Sequence, residues 1–130
     1  MFAEKSFFSR ARKWVAVAAV AAGSVGAVVV ADVVDDARLR LAEGDVAAAK
    51  NMIINELESN PKTQQEGTLQ LLLGMCFLEE GDFDAARSYF EKSATKGVAD
   101  ASWQLGRLAA RDYDFDRAAE MYGRYVSLKT

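Results

Sequence analysis

LLLGMCFLEEGDFDAARSYF, residues 71–90, is followed by the related stretch WQLGRLAARDYDFDRAAEMY, residues 103–122. Each contains a Leu-Gly pair, then an acidic turn, then alanine and bulky residues. Gly74 and Gly106 lie 32 residues apart, which is about the length of one helix–turn–helix repeat unit. Small residues let two helix backbones approach closely, and large residues fill the space beside them. The repeat therefore predicts pairs of packed helices.

An earlier copy, EGDVAAAKNMI, begins at Glu43 and lacks the Leu-Gly pair. The three copies align by their alanine pairs, which are Ala48–Ala49, Ala85–Ala86 and Ala118–Ala119. Each copy carries an aspartate where a turn enters a helix, a position that favours N-capping; these are Asp45, Asp82 and Asp114. The chain has a single proline and no sustained apolar–polar alternation, so we expect an all-α fold.

Turn and capping residues in the sequence indicate where the helices begin and end. Asn60-Pro61 ends one helix, TQQE at residues 63–66 is a capping-box pattern that begins the next, and Gly97 suits a helix C-terminus. We predict one long helix over residues 14–43, followed by helices near residues 45–59, 63–80, 82–96, 99–111 and 114–128.

ATKGVADASWQLGRLA, residues 94–109, resembles the linking stretch of Sel-like repeats, a subclass of the tetratricopeptide superfamily. The matching positions are Ala94, Gly97, Ala101, Leu105 and Gly106. GDFDAARSYFEKSA, residues 81–94, resembles the second helix of a tetratricopeptide unit, and Asp112 takes the place where the family usually has glycine before the turn of the third unit. The resemblance covers residues 37–128 and implies a short α-solenoid of about three repeats whose concave face binds protein segments.

WVAVAAVAAGSVGAVVVADVVDD, residues 14–36, begins with eighteen uncharged residues. Such a helix reaches ~27 Å, close to the thickness of the bilayer core. Four basic residues precede it, which are Lys5, Arg10, Arg12 and Lys13. The positive-inside rule then predicts a basic cytoplasmic segment at 1–13, a transmembrane helix or uncleaved signal anchor at 14–34, and an extracytoplasmic repeat domain at 35–130.

Two alternatives to the anchor remain open. A cleaved signal peptide has the same layout, and small-residue sites at residues 19–21 and 23–27 would release a soluble periplasmic or secreted adaptor. An Ala/Val-rich helix in a soluble core is the other alternative, which the length without charge and the basic flank disfavour.

Small residues recur every four positions within the predicted span. The helix-packing candidates are Ala19, Gly23, Ala27 and Ala31, with Ala22 and Gly26 on the adjacent ridge. Rows of this kind let transmembrane helices pack closely. We expect contact with subunits of a membrane complex, or with a second copy of the chain as a homo-oligomer; a loose Ala/Val-rich composition is the alternative.

The ionisable residues argue against several functions. After residue 13 the chain has 12 basic and 18 acidic residues, a poor match for nucleic acid. Histidine is absent and Cys76 is the only cysteine, so no familiar nucleophile or metal cluster is present. DYDFD, residues 112–116, lacks the later glycine and acidic positions of a calcium loop. We predict no catalysis, no metal and no cofactor.

Helical spacing places most of the aromatic residues in the core, with a peptide groove as the alternative for Trp103 and Tyr125. The candidates for partner binding are Trp103, Tyr122, Tyr125 and Val126; Trp and Tyr are favoured at binding hot spots. The sequence thus predicts a non-catalytic, single-pass membrane protein that acts as an accessory or scaffolding subunit in a bacterial envelope.

Overall fold

The computed structural model describes residues 32–130, and this part of the chain folds into six α-helices with no strand. The helices are α1 Val33–Ala42, α2 Val46–Ser59, α3 Glu66–Glu79, α4 Phe83–Thr95, α5 Ala99–Arg111 and α6 Phe115–Lys129. They pack in adjacent pairs, α1 with α2, α3 with α4 and α5 with α6, and each pair contacts the next. The prediction of an all-α, helix-pair architecture is confirmed for residues 32–130, and the packing is consistent with a helical repeat.

The second helix of each pair begins in the same way. Asp45 accepts a hydrogen bond from the Ala48 backbone N–H at 3.2 Å, and Asp82 accepts one from Ala85 at 3.1 Å. Asp114 accepts the equivalent bond from Arg117 at 3.2 Å. A carboxylate at this position accepts a hydrogen bond from a backbone N–H that has no partner within the helix. Its negative charge also interacts favourably with the positive end of the helix dipole. The predicted N-caps are therefore confirmed.

The residue before each capping aspartate adopts a left-handed backbone conformation. Gly44 and Gly81 have φ values of 81° and 80°, and Tyr113 has a φ of 63° at the equivalent position. The resemblance to the repeat family placed Asp112 at this glycine position, which is wrong by one residue, because Tyr113 occupies it. Glycine takes such a φ at little cost, whereas an L side chain is strained there. The third repeat therefore holds a strained tyrosine where the first two have glycine.

The start of α3 differs from the predicted capping box. Thr63 Oγ1 accepts a hydrogen bond from the backbone N–H of Gln65 at 3.2 Å, and the helix begins at Glu66. The hydroxyl closes a local turn two residues ahead, as serine and threonine often do. The threonine therefore forms a turn before the helix and does not cap it.

Two apolar clusters form the interior of residues 32–130. The first lies between α1, α2 and α3 and contains Val34, Ala37, Ala49, Ile53, Leu69, Leu72, Leu73 and Cys76. The second lies between α3, α4, α5 and α6 and contains Leu71, Ala86, Phe90, Ala101, Leu105, Leu108 and Met121. Helix α3 contributes to both clusters because it is apolar on nearly every face, and it thus joins the first repeat to the others.

The predicted N-terminal helix meets the described residues only at its end. Asp32 lies outside α1, so the expectation of a helix unbroken over residues 14–43 is wrong at this position. Val34, the last residue of the predicted span, is only 5% exposed and packs in the first apolar cluster. None of the helices within residues 32–130 has the length and hydropathy needed to cross a bilayer.

Most of the anchor prediction falls outside the described residues. This applies to the basic segment at 1–13, to residues 14–31 of the span and to the whole set of helix-packing candidates, which are Ala19, Ala22, Gly23, Gly26, Ala27 and Ala31. These remain predictions from the sequence.

Candidate functional site

A cavity of about 600 Å³, here called the groove, is formed by the first helices of the three pairs, α1, α3 and α5, together with the end of α6. Its floor consists of Leu71, Leu72 and Met75 from α3, and Leu41 from α1 lies beside them. Cavities of this size accommodate a ligand or several side chains of a partner. The floor is almost wholly aliphatic, and the flexible thioether of Met75 can adapt to differently shaped apolar groups.

Aromatic side chains line the end of the groove formed by α5 and α6. The rings of Trp103 and Tyr122 have centroids 4.8 Å apart, and those of Trp103 and Tyr125 are 5.3 Å apart, both pairs tilted. Trp103 keeps 43% of its surface exposed. Trp103 and Tyr125 line the groove, while Tyr122 supports Trp103 from the side. A large exposed indole on a packed aromatic base can receive an apolar group with little loss of side-chain freedom.

The position of Tyr122 depends on a close helix contact. A Cβ atom on Gly106 would come within 2.6 Å of Tyr122 Cε1, so the tyrosine ring lies directly over the glycine backbone. The Leu-Gly pair of the third repeat thus brings α5 and α6 together at the site where Trp103 and Tyr125 meet.

The structure brings together three of the four partner-binding candidates. Trp103, Tyr122 and Tyr125 form one aromatic cluster. Val126 is 58% exposed but does not line the groove. The interpretation that the aromatic residues are mostly core is wrong for Trp103, Tyr113 and Phe115, which are all exposed.

The charged residues of the groove are only partly neutralised. Arg38 on α1 and Glu79 on α3 both line it, and neither has an ion-pair partner within residues 32–130. Asp100 Oδ1 lies 3.7 Å from Lys129 Nζ, and the same ammonium lies 5.8 Å from the centre of the Tyr125 ring. Arg38 is therefore a cation available to a ligand in the groove.

A second cavity of about 340 Å³, here called the basic pocket, adjoins the groove and shares Glu79 and Gln104 with it. It lies between the C-terminal halves of α3 and α5 and the start of α4. Arg107 Nη1 donates a hydrogen bond to Gln104 Oε1 at 3.3 Å. The guanidinium of Arg111 stacks on the Phe83 ring, 3.7 Å from its centre. Two arginines one helical turn apart thus line this pocket, and some of their N–H groups donate to no acceptor within residues 32–130.

The groups that could perform chemistry lie elsewhere. Cys76 is buried in the first apolar cluster, and burial, with a smaller contribution from Glu80, raises the pKa of its thiol to about 11. The thiol is therefore protonated and unreactive at neutral pH. Asp112 accepts a 2.7 Å hydrogen bond from Arg87, and Asp114 caps α6. Within residues 32–130, no three acidic, cysteine or histidine side chains are placed to hold a metal ion.

Sequence reasoning missed the groove floor and the basic pocket. The sequence did not single out Leu71, Leu72 and Met75, because α3 shows no polar stripe that would reveal an open face. Arg107 and Arg111 carried no signal beyond their four-residue spacing on α5. The sequence matches no protein-family profile and no curated protein.

Proposed function

We propose that this protein is a non-catalytic, membrane-anchored interaction subunit, whose helical-repeat domain binds a segment of a partner protein in the groove. The observation that carries the proposal is the exposed Trp103, which packs against the tilted rings of Tyr122 and Tyr125 beside an aliphatic floor. Clustered Trp and Tyr side chains beside an apolar pocket have the composition of binding hot spots. The partner would be a component of a membrane complex, for which this chain is an accessory or scaffolding subunit.

Several features support membership of the tetratricopeptide and Sel-like repeats. Three helix pairs repeat the same N-cap and the same left-handed turn position. The contact between Gly74 and Phe90 recurs as the contact between Gly106 and Tyr122. In solenoids of this kind each unit contacts mainly its neighbours, and the first helices of successive units together form an extended binding surface.

The anchor is supported by the sequence of residues 1–34. Eighteen uncharged residues follow a basic flank, and Trp14 stands at the position of an interfacial aromatic residue. Spacing of the small residues between 19 and 31 supports packing of this helix against others in the membrane. Because basic flanks usually stay on the cytoplasmic side, the N-terminus would lie in the cytoplasm and the repeat domain on the other side of a bacterial inner membrane.

A soluble adaptor released by signal cleavage is the competing proposal, since the same sequence features allow it. N-terminal sequencing of the mature chain distinguishes the two. An intact start followed by resistance to alkaline extraction from membranes supports the anchor, whereas a new start between residues 19 and 31 supports the soluble adaptor.

Quantitative affinity purification of the full chain tests the groove itself. Trp103→Ala removes the exposed indole, and the loss of a hot-spot tryptophan costs ~2 kcal/mol or more, so co-purified partner should fall more than tenfold. Phe115→Ala is the matched control, because Phe115 is an exposed aromatic residue that lines neither cavity. Equal recovery of partner with both variants would rule out the groove as the binding surface.

A further inference from the structure

The arginines around the two cavities stand out against the charge of the rest of the chain. After residue 13 acidic residues outnumber basic ones by 18 to 12. Around the groove and the basic pocket the balance is reversed, since Arg38, Arg107 and Arg111 line them against Glu79 and Asp100. Asp100 already faces Lys129 at 3.7 Å. The excess of positive charge lies in the basic pocket, which Arg107 and Arg111 line together with Glu79, whereas the groove is lined by Arg38, Glu79 and Asp100.

The arginines of the basic pocket are arranged to receive a carboxylate. Arg107 and Arg111 lie one turn apart on α5, so their guanidinium groups lie on the same face of the helix. Arg111 is held by its stacking on Phe83, 3.7 Å from the ring centre, and it lies 3.5 Å from the exposed Asp112. Within residues 32–130, Arg107 bonds only to the neutral Gln104. A guanidinium that is held in place and has free donors binds carboxylates in a directed, often bidentate way.

The two cavities can be occupied by one ligand. Glu79 and Gln104 line both, so the groove and the basic pocket adjoin at these side chains. A ligand with an apolar group against Leu71 and Met75 can therefore also extend into the basic pocket. Among residues 32–130, Glu79 is the only acidic side chain that lines the basic pocket, and two arginines line it as well.

From this charge complementarity we propose that the occupant is an apolar–acidic protein segment. It places a bulky apolar side chain against Trp103 and the aliphatic floor, and an aspartate or glutamate against Arg107 and Arg111. This inference rests on the proposed function, because it names the chemistry of the partner that the groove binds. Apolar burial supplies the affinity, and the carboxylate supplies selectivity over basic segments.

Selection of peptides on the immobilised full-length chain provides the test, using an unbiased library of displayed twelve-residue peptides. We expect enriched peptides to combine aromatic or aliphatic residues with Asp or Glu and to be depleted of Lys and Arg. Enrichment without an acidic preference would overturn this inference and leave the groove as a peptide-binding surface. No enrichment over a Trp103→Ala chain would overturn both this inference and the proposed function.

Charge reversal then tests the assigned residue with one fluorescein-labelled peptide taken from the enriched set. Arg107→Glu should weaken its binding by about fivefold or more, because a rim ion pair is replaced by repulsion. Arg124→Glu changes the net charge equally but lies outside both cavities, and it should leave the affinity unchanged. A peptide with Lys in place of its Glu should bind the Arg107→Glu chain better than the unaltered chain. Equal weakening by both variants, or no gain with the Lys peptide, would overturn the assignment.

Discussion

Gly74 lies so close to Phe90 that a Cβ atom on residue 74 would come within 2.6 Å of Phe90 Cε1. Gly106 stands in the same relation to Tyr122, also at 2.6 Å and 32 residues later in the chain. Phe90 is completely buried, whereas Tyr122 is half-buried and its ring packs at a tilt against Trp103. One contact of the repeat thus closes the core in the second unit and supports the aromatic side of the groove in the third.

Replacing these glycines with alanine should have unequal effects on stability. Gly74→Ala inserts a methyl group against an immobile ring, and overpacking of ~1–3 kcal/mol exceeds the gain of ~1 kcal/mol in helix propensity. At Gly106 the half-buried Tyr122 can yield, so Gly106→Ala should cost less. The control is Gly123→Ala, where a Cβ meets no atom within 4 Å and the variant should be stabilised. Urea denaturation gives the three free energies of unfolding, and equal values for Gly74→Ala and Gly123→Ala would contradict this account.

Tyr113→Gly should stabilise the protein although it removes a large side chain. Tyr113 has a φ of 63° and is 81% exposed, so its ring contributes little burial. Left-handed backbone costs an L residue ~1–2 kcal/mol, and glycine relieves this cost. Part of the gain is lost with the edge-on contact to Phe115, whose ring centre is 6.2 Å away. Thermal unfolding should show a higher Tm; a lower Tm would mean that the tyrosine is held there by contacts stronger than the strain.

The thiol of Cys76 should be inert in the folded protein. Burial raises its pKa to about 11, so at pH 8 almost no thiolate is present and reagents have no access to the sulfur. Iodoacetamide should therefore label Cys76 only at the rate of unfolding, and at once in denaturant. Rapid labelling of the native chain would show that the first apolar cluster opens locally.

The same pKa shift has a consequence for stability at high pH. The folded-state pKa lies above the ordinary value of 9.0, so below pH 9 the thiol is protonated in both states and no stability is lost. Between pH 9 and about 11 the unfolded chain releases a proton that the folded chain retains, and stability falls as pH rises. A Cys76→Ala chain, although less stable at all pH values because of the smaller side chain, should lack this component of the decline.

Tyr125 and Val126 are neighbours on α6, but only Tyr125 should contribute to binding if the partner segment lies in the groove. Tyr125 lines the groove and its ring centre lies 5.3 Å from that of Trp103, while Val126 lies outside the groove. Tyr125→Glu should place a charge in an apolar site and reduce partner binding at least tenfold, as expected for a hot-spot tyrosine. Val126→Glu should leave binding within about twofold of the unaltered chain. The affinities can be compared by pull-down titration, and the reverse order would indicate that the outer face of α6 is the interface.

The helices and their repeat could be predicted from the sequence because their signals are local. The aspartate before each second helix fixes its start, and the spacing of Gly74 and Gly106 gives the repeat length. Gly97, with a φ of 86°, follows the end of α4, as its position in the sequence predicted. The turn of the third repeat was misassigned because tyrosine is an unusual residue at a positive φ, so no glycine marked the position.

The groove could be predicted only in part. Trp103 and Tyr125 were recognised as candidates by residue type, but their exposure depends on how α5 and α6 pack against each other, which no local pattern gives. Nothing in the sequence marked Leu71 and Met75 as residues that also line a groove, since α3 is apolar on both the faces that pack and the face that remains open. The groove and the basic pocket adjoin at Glu79 of α3 and Gln104 of α5, which are distant in sequence, and no local pattern encodes this arrangement.

Photo-crosslinking from the floor of the groove shows whether a partner segment lies in it. A benzophenone amino acid at Met75, which lines the groove, is compared with one at Ser88, an exposed position on α4 that lines neither cavity. If the groove binds a partner segment, irradiation of cells should give a discrete crosslinked product from position 75, which is lost in a Trp103→Ala background, and none from position 88. Crosslinks of equal yield from both positions, or a product from position 88 alone, would contradict the account.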